Sequence, residues 1–347
     1  MIYSWGDTAY YHITRCAQLY ADPFAYELSC LYLSQAMRRG GWFAHYHDGF
    51  AALSKDYCGI GCHAIVSVCA DSIPDVVKKA LRESSALGIK VKYVKHVCLH
   101  DAEKLLATRQ FTKLQRESGT EWLDDLSEDN YPQVILDLDT STWTDEIILG
   151  LELQLPASPA LSDFRSQIRR WGRRMVRDGN EKFVVQDLRQ TSFLECERML
   201  SDWSLVVEKR FLERGWPKVR DAKKCLYEPN LAVFLAAYSH KFTTCGEVFL
   251  IDGIPRGAWV GEQLSTKCLG IYSLIADTSI FNLSYFVLLR SLMFARSEGL
   301  SHVTLGGSES ESLFRFKSIS NSGYEGFCQE RKVYDLATNA TRGIEDF

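Results

Sequence analysis

Near the end of the chain, Leu305-Gly306-Gly307-Ser308-Glu309 sets a hydroxyl and a carboxylate directly behind two glycines. Two residues without side chains let a substrate approach closely; they also let a strand leave a sheet at positive φ. Glu309 has two readings: it holds an ammonium or removes a proton in a transfer reaction, or it is an acid at a helix N-terminus. In the following Phe314-Arg315-Phe316-Lys317, Arg315 and Lys317 either meet a phosphate or developing negative charge, or snorkel from an amphipathic element. Glu262 is the residue of its segment least at ease in a core and is the second acid or base candidate. Trp259, Glu262 and Tyr272 fall on two central strands, where alternation sends some side chains to a cleft and others to the core. Asp277, Asn282 and Tyr285 lie at the next turn and just beyond it. There Asp277 and Asn282 either contact substrate or cap a helix. No Ser/His/Asp or Cys/His arrangement stands out as a covalent nucleophile.

Positioning these residues requires a strand, strand, helix, strand series. Alternation predicts strands at 183–188, 248–252, 257–264, 269–276 and 303–305, with helices at 192–214, 230–240 and 283–297, the last closed by Gly299. The first half reads as a second α/β unit. Strands are expected at 41–46, 49–53, 63–68, 90–94 and 131–138, and helices at 24–38, 76–87 and 102–115. An acidic, base-free segment from Glu117 to Asp129 reads as a solvated loop or helix face that repels a phosphate backbone. Gln154 to Ala160 has the composition of a connector. The expected organisation is an N-terminal lobe over 1–155, a connecting helix over 156–180 and a C-terminal catalytic lobe over 181–347.

Within that helix Phe164, Ile168, Trp171 and Met175 recur at three and four, and Arg165, Arg169, Arg170, Arg173, Arg174 and Arg177 fill the places between. Against Asp163 and Asp178 the six arginines leave +4 in a chain whose formal net charge is −4. A surface helix often carries charge opposite an apolar stripe. Arginines flanking a tryptophan on an acidic protein also suit RNA, whose phosphates need a local basic patch.

The negative net charge excludes a global field that would draw the molecule onto nucleic acid or an acidic membrane. No apolar run approaches the roughly 20 residues that cross a bilayer, and residues 1–20 lack the layout of a signal peptide, so a cytoplasmic, soluble protein is expected. Eleven cysteines scattered along the chain read as reduced thiols. Cys58-x-x-x-Cys62-His63 lacks a regularly spaced fourth ligand, so no metal is expected.

Leu305-Gly306-Gly307-Ser308-Glu309, followed by Ser312 to Lys317, resembles the closing motif of the lysylphosphatidylglycerol-synthase (L-PGS) catalytic-domain family, the DUF2156 type. Phe164 to Arg170 resembles the basic helix joining that family's two lobes. The resemblance covers most of the chain and includes the related Fem peptidyl transferases. It implies an α/β (α+β) fold of tandem GNAT-like acyltransferase lobes, each a mixed central sheet flanked by helices. It also implies an aminoacyltransferase that takes its acyl group from aminoacyl-tRNA as co-substrate, with no other cofactor, by direct attack on the ester. Membrane-anchored members modify a lipid. Soluble members in secondary metabolism, such as the seryl-tRNA-dependent transferase of the valanimycin pathway, acylate a small amine, hydroxylamine or hydroxyl, which is the partner expected here.

The site set under this reading is catalytic Glu309, Glu262 and Lys317, with substrate contacts from Gly306, Gly307, Ser308, Asp277, Asn282, Tyr285, Tyr272, Trp259 and Arg315. The six arginines take the tRNA. The alternatives are a coenzyme-A-dependent N-acyltransferase and a non-catalytic tRNA-binding protein on the same scaffold. Against the first, the turn Ala276 to Asn282 carries an acid and no glycine where such enzymes cradle a pyrophosphate on backbone amides.

Overall fold

The computed structural model describes residues 2–3, 29, 31, 42–47, 50–57, 60–67, the helical positions 75, 77, 78, 81, 82 and 86, and residues 91–113, 133–179, 182–213, 226–239, 244–308, 311–319, 327–331 and 333–338. In chain order these give strands β1 (Ile2–Tyr3), β2 (Trp42–His47), β3 (Phe50–Tyr57), β4 (Ile60–Ser67) and β5 (Val91–Cys98), helix α1 (Leu99–Ala107), then β6 (Phe111–Lys113), β7 (Gln133–Asp137), β8 (Trp143–Ile148) and β9 (Leu151–Pro156). There follow α2 (Ser162–Arg177), β10 (Phe183–Asp187), α3 (Phe193–Glu213), α4 (Glu228–Ser239), β11 (Thr244–Ile251), β12 (Ile254–Gln263) and β13 (Cys268–Ala276). The series closes with α5 (Leu283–Ser297), β14 (His302–Thr304), α6 (Glu311–Lys317), β15 (Cys328–Arg331) and β16 (Val333–Thr338).

Two mixed sheets of seven described strands organise these elements. One has the order β1-β2-β3-β4-β5-β16-β6, the other β10-β11-β12-β13-β14-β7-β15. In each, the fourth and fifth strands run parallel and their other described partners antiparallel. A parallel pair needs a crossover long enough for a helix. In the second sheet that helix is α5, and in the first the helical positions from 75 to 86 lie between β4 and β5. This is the α/β fold of mixed sheets flanked by helices that the sequence led us to expect.

The chain divides into two compact units. One takes 1–133, 307–309 and 330–347; the other takes 134–306 and 310–329. The division therefore falls at 133/134, and the basic helix α2 packs inside the second unit. The physical cause is pairing: Ile135, Leu136 and Asp137 of β7 lie in register with Thr304, Val303 and His302 of β14. The second unit's core gathers Phe249, Trp259 and Leu269 from the sheet, Phe286 and Leu292 from α5, and the buried stripe Phe164, Ile168, Trp171 and Met175 of α2. The first unit buries Val94, Leu105, Phe111 and Leu336 together.

Three local expectations change. Residues 102–115 do not form one helix: α1 stops at Ala107, Arg109 turns into the left-handed region at φ 59°, and β6 begins at Phe111. What draws this segment out of helix is β16, whose Thr338 pairs with Phe111. The connector reading of 154–160 gives way to a β8–β9 hairpin, turning through Leu149 and Gly150 at φ 56° and 72° and followed by a short 3-10 turn at Pro159–Leu161. Leu153 and Leu155 are buried, and Gly172 of α2 meets the Ile148 side chain with no room for a Cβ. Third, β11 starts at Thr244, four residues before the predicted strand, because Thr244 to Gly246 pair with Glu262 to Val260. Most of the predicted helix at 24–38, the acidic segment 117–129 and Trp216-Pro217 lie outside the described residues.

Candidate active site

The parallel pair at the centre of the second sheet is short. Cys268, Leu269 and Gly270 of β13 pair with His302, Val303 and Thr304 of β14, and there the register ends. Beyond it β13 runs on to Ala276 along β12. The chain after β14 follows β7 instead: Leu305 donates to the Val134 carbonyl, and Val134 donates to that of Gly306, both near 3 Å. The two strands therefore part into a wedge. Gly306 sits on its β14 side at φ 65°, a conformation that glycine adopts without cost.

The turn from β13 into α5 closes the other side of the wedge. Asp277 accepts from Arg256 at 3.0 Å and from the amide and hydroxyl of Ser279 at 2.8 and 2.6 Å. Arg210 of α3 donates to the Thr278 carbonyl at 3.1 Å. Asn282 stands at the N-cap position with φ 58°, yet its side chain makes no cap; it donates to the backbone and side-chain oxygens of Gln167 in α2. Neither the Asp277 nor the Asn282 side chain thus caps α5. Four amides of the turn, those of Asp277, Ser279, Ile280 and Leu283, already have acceptors within the protein. Those four amides are therefore engaged and do not stand free as donors to an anion.

The central-strand candidates separate by face. Trp259 is fully buried toward α5: its indole donates to Glu247 at 3.0 Å, Glu247 also receives both guanidinium arms of Arg290, and Phe294 packs on the ring. Glu262, only 1% exposed, pairs across the sheet with Thr244, whose hydroxyl reaches the Ala237 carbonyl of α4. Cross-strand partners share a face, so Glu262 points to the α4 side, beside Gly270 where the wedge begins. Tyr272, at a bulge in β13, is half-buried with its ring against Gly270.

Tyr285 packs between Phe164 and Phe316, and burial pushes its hydroxyl pKa up, with nearby Asp163 adding to the shift. Lys317 is half-buried and Arg315 exposed, both in the last turn of α6. Gly307 and Ser308 group with the first unit and are buried; among the described residues the Ser308 hydroxyl has no hydrogen-bond partner. Glu309 lies outside the described residues. Sequence reasoning missed Arg256, Gln167 and Arg210, which hold the turn from distant elements and carry no short-range signal. Among the described residues no cluster of three His, Cys, Asp or Glu is gathered as metal ligands would be.

The six arginines of α2 do two jobs. Arg165 donates to the carbonyls of Pro156 and Ser158 at 2.7 and 2.6 Å, and Arg169 grips both oxygens of Glu146 in β8 at 2.9 and 2.5 Å. These two pin the helix to the hairpin. Arg170, Arg173, Arg174 and Arg177 share the face opposite the buried stripe and are exposed. Arg174 and Arg177 lean on Asp178 at 3.3 Å, and Arg174 also lies 5.6 Å from the centre of the Phe281 ring in the α5 turn.

No family model and no curated protein matches this sequence. Solved structures do match over nearly the whole chain. A conserved protein of unknown function from Bacteroides thetaiotaomicron has TM-score 0.70 at 12% identity, covering 98% of this chain and 100% of that one. L-PGS from Bacillus licheniformis has TM-score 0.60 at 11% identity, covering 99% and 95%. FemX has TM-score 0.55 at 10% identity, covering 98% of each chain. At such identities the likeness establishes a shared fold along both units.

Proposed function

We propose that this protein is an aminoacyl-tRNA-dependent aminoacyltransferase that passes its aminoacyl group to a soluble small-molecule amine, hydroxylamine or hydroxyl. The observation that carries the reading is the outward arginine face of α2, coupled to the wedge through Asn282–Gln167 and Arg174–Phe281. Phosphates of an RNA stem meet that face, while its aminoacyl end enters between β13 and β14. The fold shared with L-PGS and FemX supports a transferase. The occupied amides of the α5 turn weigh against coenzyme A as the acyl carrier.

An aminoacyl ester is already activated. The acceptor nitrogen or oxygen attacks the ester carbonyl, a tetrahedral oxyanion forms, the bond to the ribose oxygen breaks, and that oxygen leaves with a proton. Orientation, one proton acceptor and a donor for the oxyanion suffice. Glu309 and Glu262 are the acceptors we assign, and Lys317 with Arg315 supplies positive charge. Gly306 leaves room for the terminal adenosine.

The test is incubation with a pool of labelled aminoacyl-tRNAs plus a small-molecule extract. The expected result is label moving from one tRNA species into a new small molecule. Thermal protection by acetyl-coenzyme A with no response to charged tRNA would replace the reading, as would tRNA that binds while its label stays on the ester.

A further inference from the structure

We infer that Phe281 is a stacking platform for an unpaired nucleobase at the 3′ end of the donor RNA. This inference rests on the RNA-dependent reading above and assigns one contact within it.

A phenyl ring 45% exposed to solvent stands at the end of the β13–α5 turn, whereas the other large hydrophobics exposed among the described residues are aliphatic. The turn beneath it is held from three elements: Arg256 of β12 on Asp277, Arg210 of α3 on the Thr278 carbonyl, and Gln167 of α2 on Asn282. Asn282, next in sequence, is fixed in the left-handed region, which asparagine tolerates better than most residues. The ring is therefore presented by a pre-organised loop.

The chemistry around it points to RNA. Arg174 approaches the ring at 5.6 Å, and Asp178 steadies that guanidinium at 3.3 Å. Arg170, Arg173 and Arg177 line the same face of α2. Charges for phosphates beside an open π-face and a flanking guanidinium plane are the parts that single-stranded RNA sites combine. An apolar protein patch would engage the ring but offer the arginine face no anionic partner. An acceptor stem ends in unpaired 3′ nucleotides, so a duplex seated on α2 brings its single-stranded tail to Phe281 and the aminoacyl end to the adjoining wedge.

The experiment compares two RNAs by fluorescence anisotropy: an acceptor-stem hairpin with its unpaired 3′ tail, and the same hairpin cut back to a blunt end. Phe281→Ala should bind the tailed RNA about tenfold more weakly than wild type and the blunt RNA equally well. Phe281→Tyr, which keeps the ring, should match wild type on both. Equal binding of tailed RNA by Phe281→Ala and wild type overturns the platform while leaving RNA binding intact. Equal losses on both RNAs, or a Tyr variant as weak as the Ala variant, overturn it too. Wild type that binds neither RNA brings down the tRNA reading itself.

Discussion

The two sheets match strand for strand, yet their wedges are equipped differently. In both, the fourth and fifth strands start parallel and part: β4 and β5 are in register over Gly61–Ala64 with Val91–Lys95, β13 and β14 over three residues. In both, the sixth strand comes from the other half of the chain, β16 in the first sheet and β7 in the second. After the first wedge the chain runs from Cys98 straight into α1, and no glycine stands there. After the second it leaves through Gly306 at positive φ, and the turn that follows β13 is clamped to an arginine helix. One scaffold twice over supplies the frame, and the two copies differ at the exits from the fifth strand.

The sharpest way to break the comparison is to remove the reciprocal strand. Deleting residues 333–347 takes away β16 and the fully buried Leu336, separating β5 from β6. The expected outcome in calorimetry with limited proteolysis is loss of the first unit's cooperative transition, with the second unit's retained. Simultaneous loss of both would show that the units do not fold as separate bodies.

A smaller lesion should act on the second unit alone. Trp171 of α2 stacks on Phe286 of α5 at 3.9 Å and meets Phe183 of β10 edge-on at 5.2 Å. Trp171→Ala should cost about 3–5 kcal/mol, read as a fall in the second unit's unfolding midpoint while the first unit's stays put.

The smallest effect concerns the arginines that hold the hairpin. The hydrogen bonds from Arg169 keep the Glu146 carboxyl below its usual value of 4.5. A carboxyl whose pKa is lowered by folding stabilises above its unfolded value, and that contribution fades as pH falls through the folded value. The pair is at the surface, with half of the Arg169 side chain exposed, so Glu146→Gln should cost under ~1 kcal/mol at neutral pH. Denaturant titrations should show the gap closing below about pH 4. A gap that persists in acid would mean that the carboxylate charge is not what pins α2.

Much of the frame could be read directly from the residues. Helix α5 was predicted at 283–297 and occupies Leu283–Ser297. The apolar stripe of α2 is buried as its spacing implied, and the strand, strand, helix, strand order of the second unit is present. These features are local: a period of 3.6 or 2, a glycine stop and a charge face need only neighbours in sequence. The β8–β9 hairpin was hidden because Pro156, Ser158 and Pro159 mimic a linker, while its evidence lies in the burial of Leu153 and Leu155.

Sequence by itself determined the fold class, the basic helix and the absence of glycine from the α5 turn, since each is a matter of residue type and period. Tertiary structure decided which strands exchange, that Trp259 faces α5 while Glu262 faces α4, and that Arg165 and Arg169 hold the hairpin while four arginines face outward. The reason is that partner and face depend on contacts between residues far apart in the chain, which no local pattern records.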